Sequence, residues 1–133
     1  MNRYTIHCTP EQTKKALKLG APIEEAMSRY NARNAIQRVE SGKETIEEYA
    51  NKGIALVNRG YVKKALKIPT AEQMIGWIEE NKYMTIEVLR TCVGYRYFAY
   101  FVVGRKIGGR YDTRSEAILA AIDAVLEYME NHG

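Results

Sequence analysis

The side chains best suited to metal binding or nucleophilic catalysis are few and stand far apart in this 133-residue chain. Cys8 and Cys92 lie in opposite halves, and the only histidines are His7 and His132. Adjacent strand residues point to opposite faces, so His7 and Cys8 do not converge on one ion. No serine or cysteine is flanked by the base and carboxylate of a catalytic triad. We therefore expect reduced thiols, no metal, no cofactor and no enzymatic activity.

Basic side chains are a second group with chemical potential, and they are unevenly distributed. Within a net charge of +4, residues 1–67 carry 13 basic and seven acidic side chains, whereas residues 68–133 carry seven and nine. The stretch 88–115 nevertheless holds six basic residues against Asp112 alone. Such an excess is typical of a surface that contacts phosphates. The candidate nucleic-acid contacts are Arg96, Arg105, Lys106, Arg110 and Arg114.

One segment, YRYFAYFVV at positions 95–103, is almost wholly aromatic or β-branched and predicts a strand. Alternation puts Phe98 and Tyr100 on the same face as Arg96. A solvated sheet face carries polar side chains, so we expect both faces of this strand to be partly covered. The cover is the N-terminal helices, a second copy of the chain, or the bases of a single-stranded nucleic acid. The sequence leaves these three alternatives open.

The second half of the chain shows the elements that must position these residues. A capping box at Thr70–Gln73 opens a helix. Strands are predicted at Thr85–Cys92, Tyr95–Val103 and Ile107–Tyr111, with a turn at Gly104–Lys106. Another capping box, Thr113–Glu116, opens the last helix, which has apolar residues through Met129.

The first half shows mainly helical spacing. Tyr4–Cys8 predicts a short strand, and Thr9–Gln12 forms a capping box. Apolar residues recur at helical intervals from Ile23 to Val39, and again over residues 44–61. The short loop between these two segments predicts an antiparallel helical hairpin.

Together these elements predict an α+β fold. An N-terminal strand and helical hairpin (1–67) would pack on an α-β-β-β-α module with a three-stranded antiparallel sheet (68–133), forming one compact unit. No apolar run approaches the roughly 18 residues that span a bilayer. The N-terminus also lacks the apolar segment of a signal peptide. We therefore expect a cytoplasmic protein with no membrane partner.

The ending GGRYDTRSEAILAAIDAVL, preceded by a helix and two strands, resembles the double-stranded-RNA-binding domain over Pro69–Met129. This resemblance implies a three-stranded antiparallel sheet with both helices on one face. The family's last helix opens with lysines that grip phosphates across a groove. Arg114 occupies one of their positions, and Ser115 and Ile118 occupy the other two.

Two further segments, IPTAEQMIGWIEEN and YDTRSEAILAAIDAVLEYM, look like those of small uncharacterised proteins of gut-bacterial phages and mobile elements. This resemblance implies an accessory role and no particular activity. Two functions follow as hypotheses. The first is a non-catalytic interaction module that binds a protein partner or forms a homodimer, with Phe98 and Tyr100 on its interaction face. The alternative is a nucleic-acid-binding protein whose basic loops contact phosphates.

Overall fold

The computed structural model describes residues 5–82, 84–101 and 104–132. The chain divides into two compact units. The N-terminal unit is Thr9–Pro69, and the C-terminal unit comprises Thr70 onward together with the segment up to Cys8. Within the described ranges, no helix is both long and apolar enough to cross a membrane.

The N-terminal unit contains three helices followed by a β-hairpin. Helix α1 spans Pro10–Lys18, α2 spans Arg29–Glu40 and α3 spans Ile46–Asn51. Strands β1 (Ile54–Arg59) and β2 (Val62–Lys67) pair antiparallel. Each helix begins after a hydroxyl side chain that accepts a backbone N–H of the first turn. These N-caps are Thr9, Ser28 and Thr45.

The core of this unit lies between the hairpin and helices α2 and α3. Leu56 of β1 packs with Ile36 and Tyr49, and all three side chains are buried. The Tyr49 hydroxyl accepts a hydrogen bond from Arg38 Nη2 at 3.1 Å, and Arg38 forms a 2.8 Å ion pair with Glu44. The Tyr49 hydroxyl and the Arg38 guanidinium hold the pKa of the Glu44 carboxyl below its ordinary value. This network ties the α2–α3 loop to the core.

Strand β1 replaces the second part of the helix predicted for residues 44–61, of which only Ile46–Asn51 is helical. Gly53 and Gly60 adopt φ values of +79° and +57°, which interrupt a helix. Arg59 pairs with Val62, so Gly60 is the first residue of a two-residue turn. The turns that suit such hairpins need a positive φ at this position. The predicted helix over 44–61 is therefore wrong beyond Asn51, because Ile46–Asn51 forms a short helix and Ile54–Arg59 forms a strand.

Helix α2 also begins later than predicted, at Arg29 instead of Ile23. The preceding segment lies along the edge of β2, where the Lys67 N–H donates to the Glu24 carbonyl at 2.8 Å. The side chains of these two residues form a 3.1 Å ion pair. Backbone pairing with a strand thus replaces the helical turn that the apolar spacing predicted.

The C-terminal unit has the predicted element order. Helix α4 (Ala71–Lys82) is followed by strands β3 (Thr85–Thr91), β4 (Gly94–Phe101) and β5 (Gly104–Ile107), and then by helix α5 (Arg114–His132). The strands form one antiparallel sheet in the order β3-β4-β5. The α+β class and the three-stranded antiparallel sheet between helices are confirmed.

The third strand lies earlier than its predicted position at Ile107–Tyr111. Phe101 pairs with Gly104, so the residues predicted as a turn belong to β5. Beyond β5, Tyr111 alone forms a bridge to β4. Positions 102–103, which the prediction assigned to the central strand, lie outside the described residues.

The strand predicted at Tyr4–Cys8 is a single bridge, between His7 and Thr70, in the part of the chain that the structure describes. On its C-terminal side it is limited by α1, which begins at Pro10. Cys8 Sγ lies 3.7 Å from the Thr70 carbonyl oxygen. Burial, with a smaller effect of the Asp123 charge, raises the pKa of the Cys8 thiol to about 12.

Helix α5 covers one face of the C-terminal sheet. On that face Tyr97 and Ala99 of β4 are buried, and the Phe101 ring stacks on Tyr128 of α5 with centroids 4.1 Å apart. Ile122 of α5 has no exposed surface. Helix α4 contacts both α5 and β3. The alternate side chains of β4 therefore point away from α5.

Candidate functional site

The sheet face that points away from α5 brings aromatic and basic side chains together. Along β4, Arg96, Phe98 and Tyr100 share this face, with Arg96 exposed and both rings partly exposed. Leu89 pairs with Arg96 and Ile107 pairs with Phe98, and these two side chains are 49% and 44% exposed. We call this surface the open face, and its strand side chains include Glu87, Leu89, Arg96, Phe98, Tyr100, Arg105 and Ile107.

The register of β5 separates two of the predicted basic residues. Arg105 pairs with Tyr100 and therefore lies on the open face. Lys106 pairs with Ala99 and therefore lies on the face toward α5. Both side chains are exposed, because β5 is an edge strand. Two neighbouring exposed cations thus have opposite orientations.

Arg110 reaches the open face from the loop after β5. Tyr111 exchanges two backbone hydrogen bonds with β4, of 2.8 and 2.9 Å, and so holds this loop beside the strand. Tyr111 is the bridge partner of Tyr95, and its ring lies beside Tyr97 on the face toward α5. Arg110, the preceding residue, therefore lies toward the open face by alternation. Its guanidinium forms a 3.0 Å ion pair with Asp112.

Arg114 belongs to a different surface. It is the first residue of α5 and lines a cavity of about 270 Å³ together with Glu72, Ile75 and Ile118. The structure therefore brings three of the five predicted basic residues together with the aromatic pair. These three are Arg96, Arg105 and Arg110.

One carboxylate lies among the aromatic side chains of the open face. Glu87 of β3 pairs with Phe98, and the Tyr100 hydroxyl donates to Glu87 Oε2 at 3.5 Å, which is a long hydrogen bond. Arg96 and Arg105 form no ion pair within the described ranges. Glu87 therefore offsets part of the positive charge, while both arginines are available to a ligand.

Two other titratable side chains of the C-terminal unit, Tyr97 and His132, are fixed in position by packing contacts. Burial, with smaller effects of Tyr111 and two carboxylates, raises the pKa of Tyr97. The His132 ring stacks on Tyr128, and its Nδ1 lies 3.0 Å from the Tyr128 carbonyl oxygen. Among residues 5–82, 84–101 and 104–132, no three histidine, cysteine or acidic side chains group as metal ligands.

A second basic surface, which was not predicted from the sequence, lies in the N-terminal unit. Arg33 of α2 and Lys63 of β2 line two adjoining cavities at the tip of the hairpin, where Tyr61 is fully exposed. Arg29, one turn before Arg33, lines one of these cavities. The excess of basic residues in positions 1–67 is the feature of the sequence that indicates a basic surface in this unit. The wrongly predicted helix over 44–61 concealed that these residues converge.

The chain shows no significant match to a protein-family model, to a curated protein sequence or to a solved structure. The placement of side chains on the open face and at the hairpin tip is therefore the basis for inferring function.

Proposed function

We propose that the protein is a non-catalytic module that binds single-stranded nucleic acid on the open face of its C-terminal sheet. The observation that carries this proposal is the order of side chains on that face. Phe98 and Tyr100 are neighbours on the central strand, with Arg96 at one end of the pair and Arg105 beside the other. Every base has a π-face, so aromatic side chains bind single strands with little regard to sequence.

The two kinds of side chain have complementary tasks. Stacking of one base on an aromatic ring contributes about 1–3 kcal/mol. Arg96 and Arg105 are exposed cations that can each donate several hydrogen bonds to a phosphate. A single strand whose bases lie on Phe98 and Tyr100 would carry its phosphates past these arginines. In a duplex the bases are already stacked on each other and do not reach the rings.

A second copy of the chain is the other candidate ligand of the open face. Leu89 and Ile107 are apolar and about half exposed, and burial of such side chains drives protein association. A homodimer formed through this face would hide both aromatic rings. Light scattering across a concentration series, with and without an oligonucleotide, distinguishes these cases. Loss of the dimer on Leu89→Lys, together with no oligonucleotide binding, would favour self-association.

The charge contribution is tested by a pair of adjacent substitutions. Arg105→Glu and Lys106→Glu change the net charge equally on the same strand but on opposite faces. Fluorescence anisotropy with a labelled, unstructured oligonucleotide of about a dozen nucleotides measures the affinity. We expect Arg105→Glu to weaken binding and to flatten its salt dependence, with a much smaller effect of Lys106→Glu. Equal effects of the two variants would contradict binding on the open face.

The stacking contribution is tested by Phe98→Leu and Tyr100→Leu, which keep an apolar side chain but remove the aromatic ring. A stacking loss of about 1–3 kcal/mol corresponds to roughly 5- to 150-fold weaker binding per ring. Glu87→Gln should have the opposite effect, because it removes a negative charge next to the rings. Unchanged affinity in both leucine variants would exclude stacking.

An accessory role for a phage or mobile element is part of the proposal only through the resemblance of the sequence.

A further inference from the structure

The tip of the β1–β2 hairpin is an exposed surface of the N-terminal unit that the open face does not involve. Its turn residue Tyr61 is 102% exposed, and the adjacent Val62 is 48% exposed. Arg33 and Lys63 lie around the cavities beside this tip, and Arg29 lines the smaller one. We call this the hairpin surface, and its side chains are Arg29, Arg33, Tyr61 and Lys63.

The charge of the hairpin surface is not neutralised. No ion pair to Arg29, Arg33 or Lys63 occurs in the part of the chain that the structure describes. The neighbouring cation Lys64 is different, because it pairs with Glu25 at 3.7 Å. Three unpaired positive charges thus surround one protruding turn, which favours a ligand with several negative charges.

The cavities beside the tip show what kind of ligand fits. They are open to solvent, have volumes of about 190 and 420 Å³, and share Arg33, Tyr61 and Lys63. Two adjoining shallow sites with cationic walls suit successive phosphates of a polymer. A two-stranded β-ribbon is also narrow enough to enter the major groove of a duplex, which is about 12 Å wide.

We infer that the hairpin surface is a second nucleic-acid contact, which grips the phosphates of a duplex while Tyr61 lies in the groove between them. Because the positive side chains lie beside the turn, they contact the phosphates along the groove that the turn enters. Such contacts set affinity and position and carry no sequence information. This inference is independent of the open face, since the two surfaces share no residue.

The test uses the full chain and a blunt-ended duplex DNA without single-stranded ends. The variant Arg29→Glu/Arg33→Glu/Lys63→Glu reverses the three charges. Arg29→Glu also places an acid in the first turn of α2, which has none, so this substitution favours the helix. The control, Lys18→Glu/Lys43→Glu/Lys52→Glu, makes the same change in net charge at three exposed sites of the same unit. Far-UV circular dichroism confirms that both variants are folded.

The logarithm of the duplex affinity decreases with the logarithm of the salt concentration. We expect the magnitude of this slope to decrease by about three in the hairpin variant, one for each lost phosphate contact. The control should keep the slope of the wild-type protein. Equal slopes in the two variants, or no duplex binding by the wild-type chain, would overturn the inference. Single-strand binding separates this result from the open face: it should persist in the hairpin variant and weaken in Arg105→Glu.

Discussion

Replacement of Gly108 by alanine should destabilise the C-terminal unit, because the Tyr97 ring occupies the space that the new methyl group needs. A Cβ at Gly108 would lie 2.1 Å from Tyr97 Cε2, whereas ordinary contacts are 3.4–4 Å. The ring would therefore have to retreat by about 1.3 Å. Tyr97 is only 4% exposed and has Tyr111 beside it, with ring centroids 6.2 Å apart. Overpacking of this kind costs about 1–3 kcal/mol.

Gly109→Ala is the matched control, since a Cβ there meets no atom within 4 Å and its φ needs no glycine. Urea denaturation followed by circular dichroism gives the free energy of unfolding of each variant. We expect Gly108→Ala to lose about 1–3 kcal/mol and Gly109→Ala to change by less than about 0.5 kcal/mol. Shortening the ring with Tyr97→Leu should make Gly108→Ala less costly, a non-additive result for residues in contact. Equal stability of the two alanine variants would refute this reasoning.

Three further predictions concern thiols, acid and a helix cap. A thiol reagent at pH 8 should modify the exposed Cys92 quickly and Cys8 only after unfolding, because Cys8 is buried and its pKa is about 12; mass spectrometry of the labelled chain identifies the site. The folded pKa of Glu44 lies below its ordinary value of 4.5, so the stabilising effect of this carboxylate is complete above pH 4.5 and is lost as the pH falls through the folded pKa. The difference in unfolding free energy between wild type and Glu44→Gln should therefore shrink on acidification. A difference that stays constant with pH would contradict this prediction. Thr113→Ala removes the oxygen that accepts the Glu116 N–H at 3.2 Å and should lower the free energy of unfolding by about 1 kcal/mol, which denaturation measures.

Local signals in the sequence predicted much of the fold. The capping boxes at Thr9–Gln12 and Thr70–Gln73 form as reciprocal hydrogen bonds of 3.0–3.1 Å. The aromatic run in β4 forms the central strand, and its alternation correctly separated Phe98 and Tyr100 from Tyr97. These features depend on residues near each other in sequence, which is why one sequence is enough to predict them.

The errors arose where pairing between distant residues decides the structure. Over 44–61 the apolar spacing fits one helix, but pairing with β2 and the turn at Gly60 make Ile54–Arg59 a strand. The orientation of Arg105 and Lys106 depends on the register with β4, which composition does not reveal. A basic surface assembled from α2 and β2 was likewise invisible until the hairpin was known.

The most direct test of single-strand binding on the open face is a ¹H–¹⁵N NMR titration of the full chain with an unstructured oligonucleotide. We predict that the largest shifts occur at Arg96, Phe98, Tyr100 and Arg105, including the side-chain Nε–H signals of the arginines. Signals of Lys106 and of buried α5 residues should change little. The proposal would be contradicted by shifts confined to other surfaces. It would also be contradicted by the absence of shifts at several hundred micromolar oligonucleotide, a concentration of roughly the dissociation constant of a weak non-specific complex.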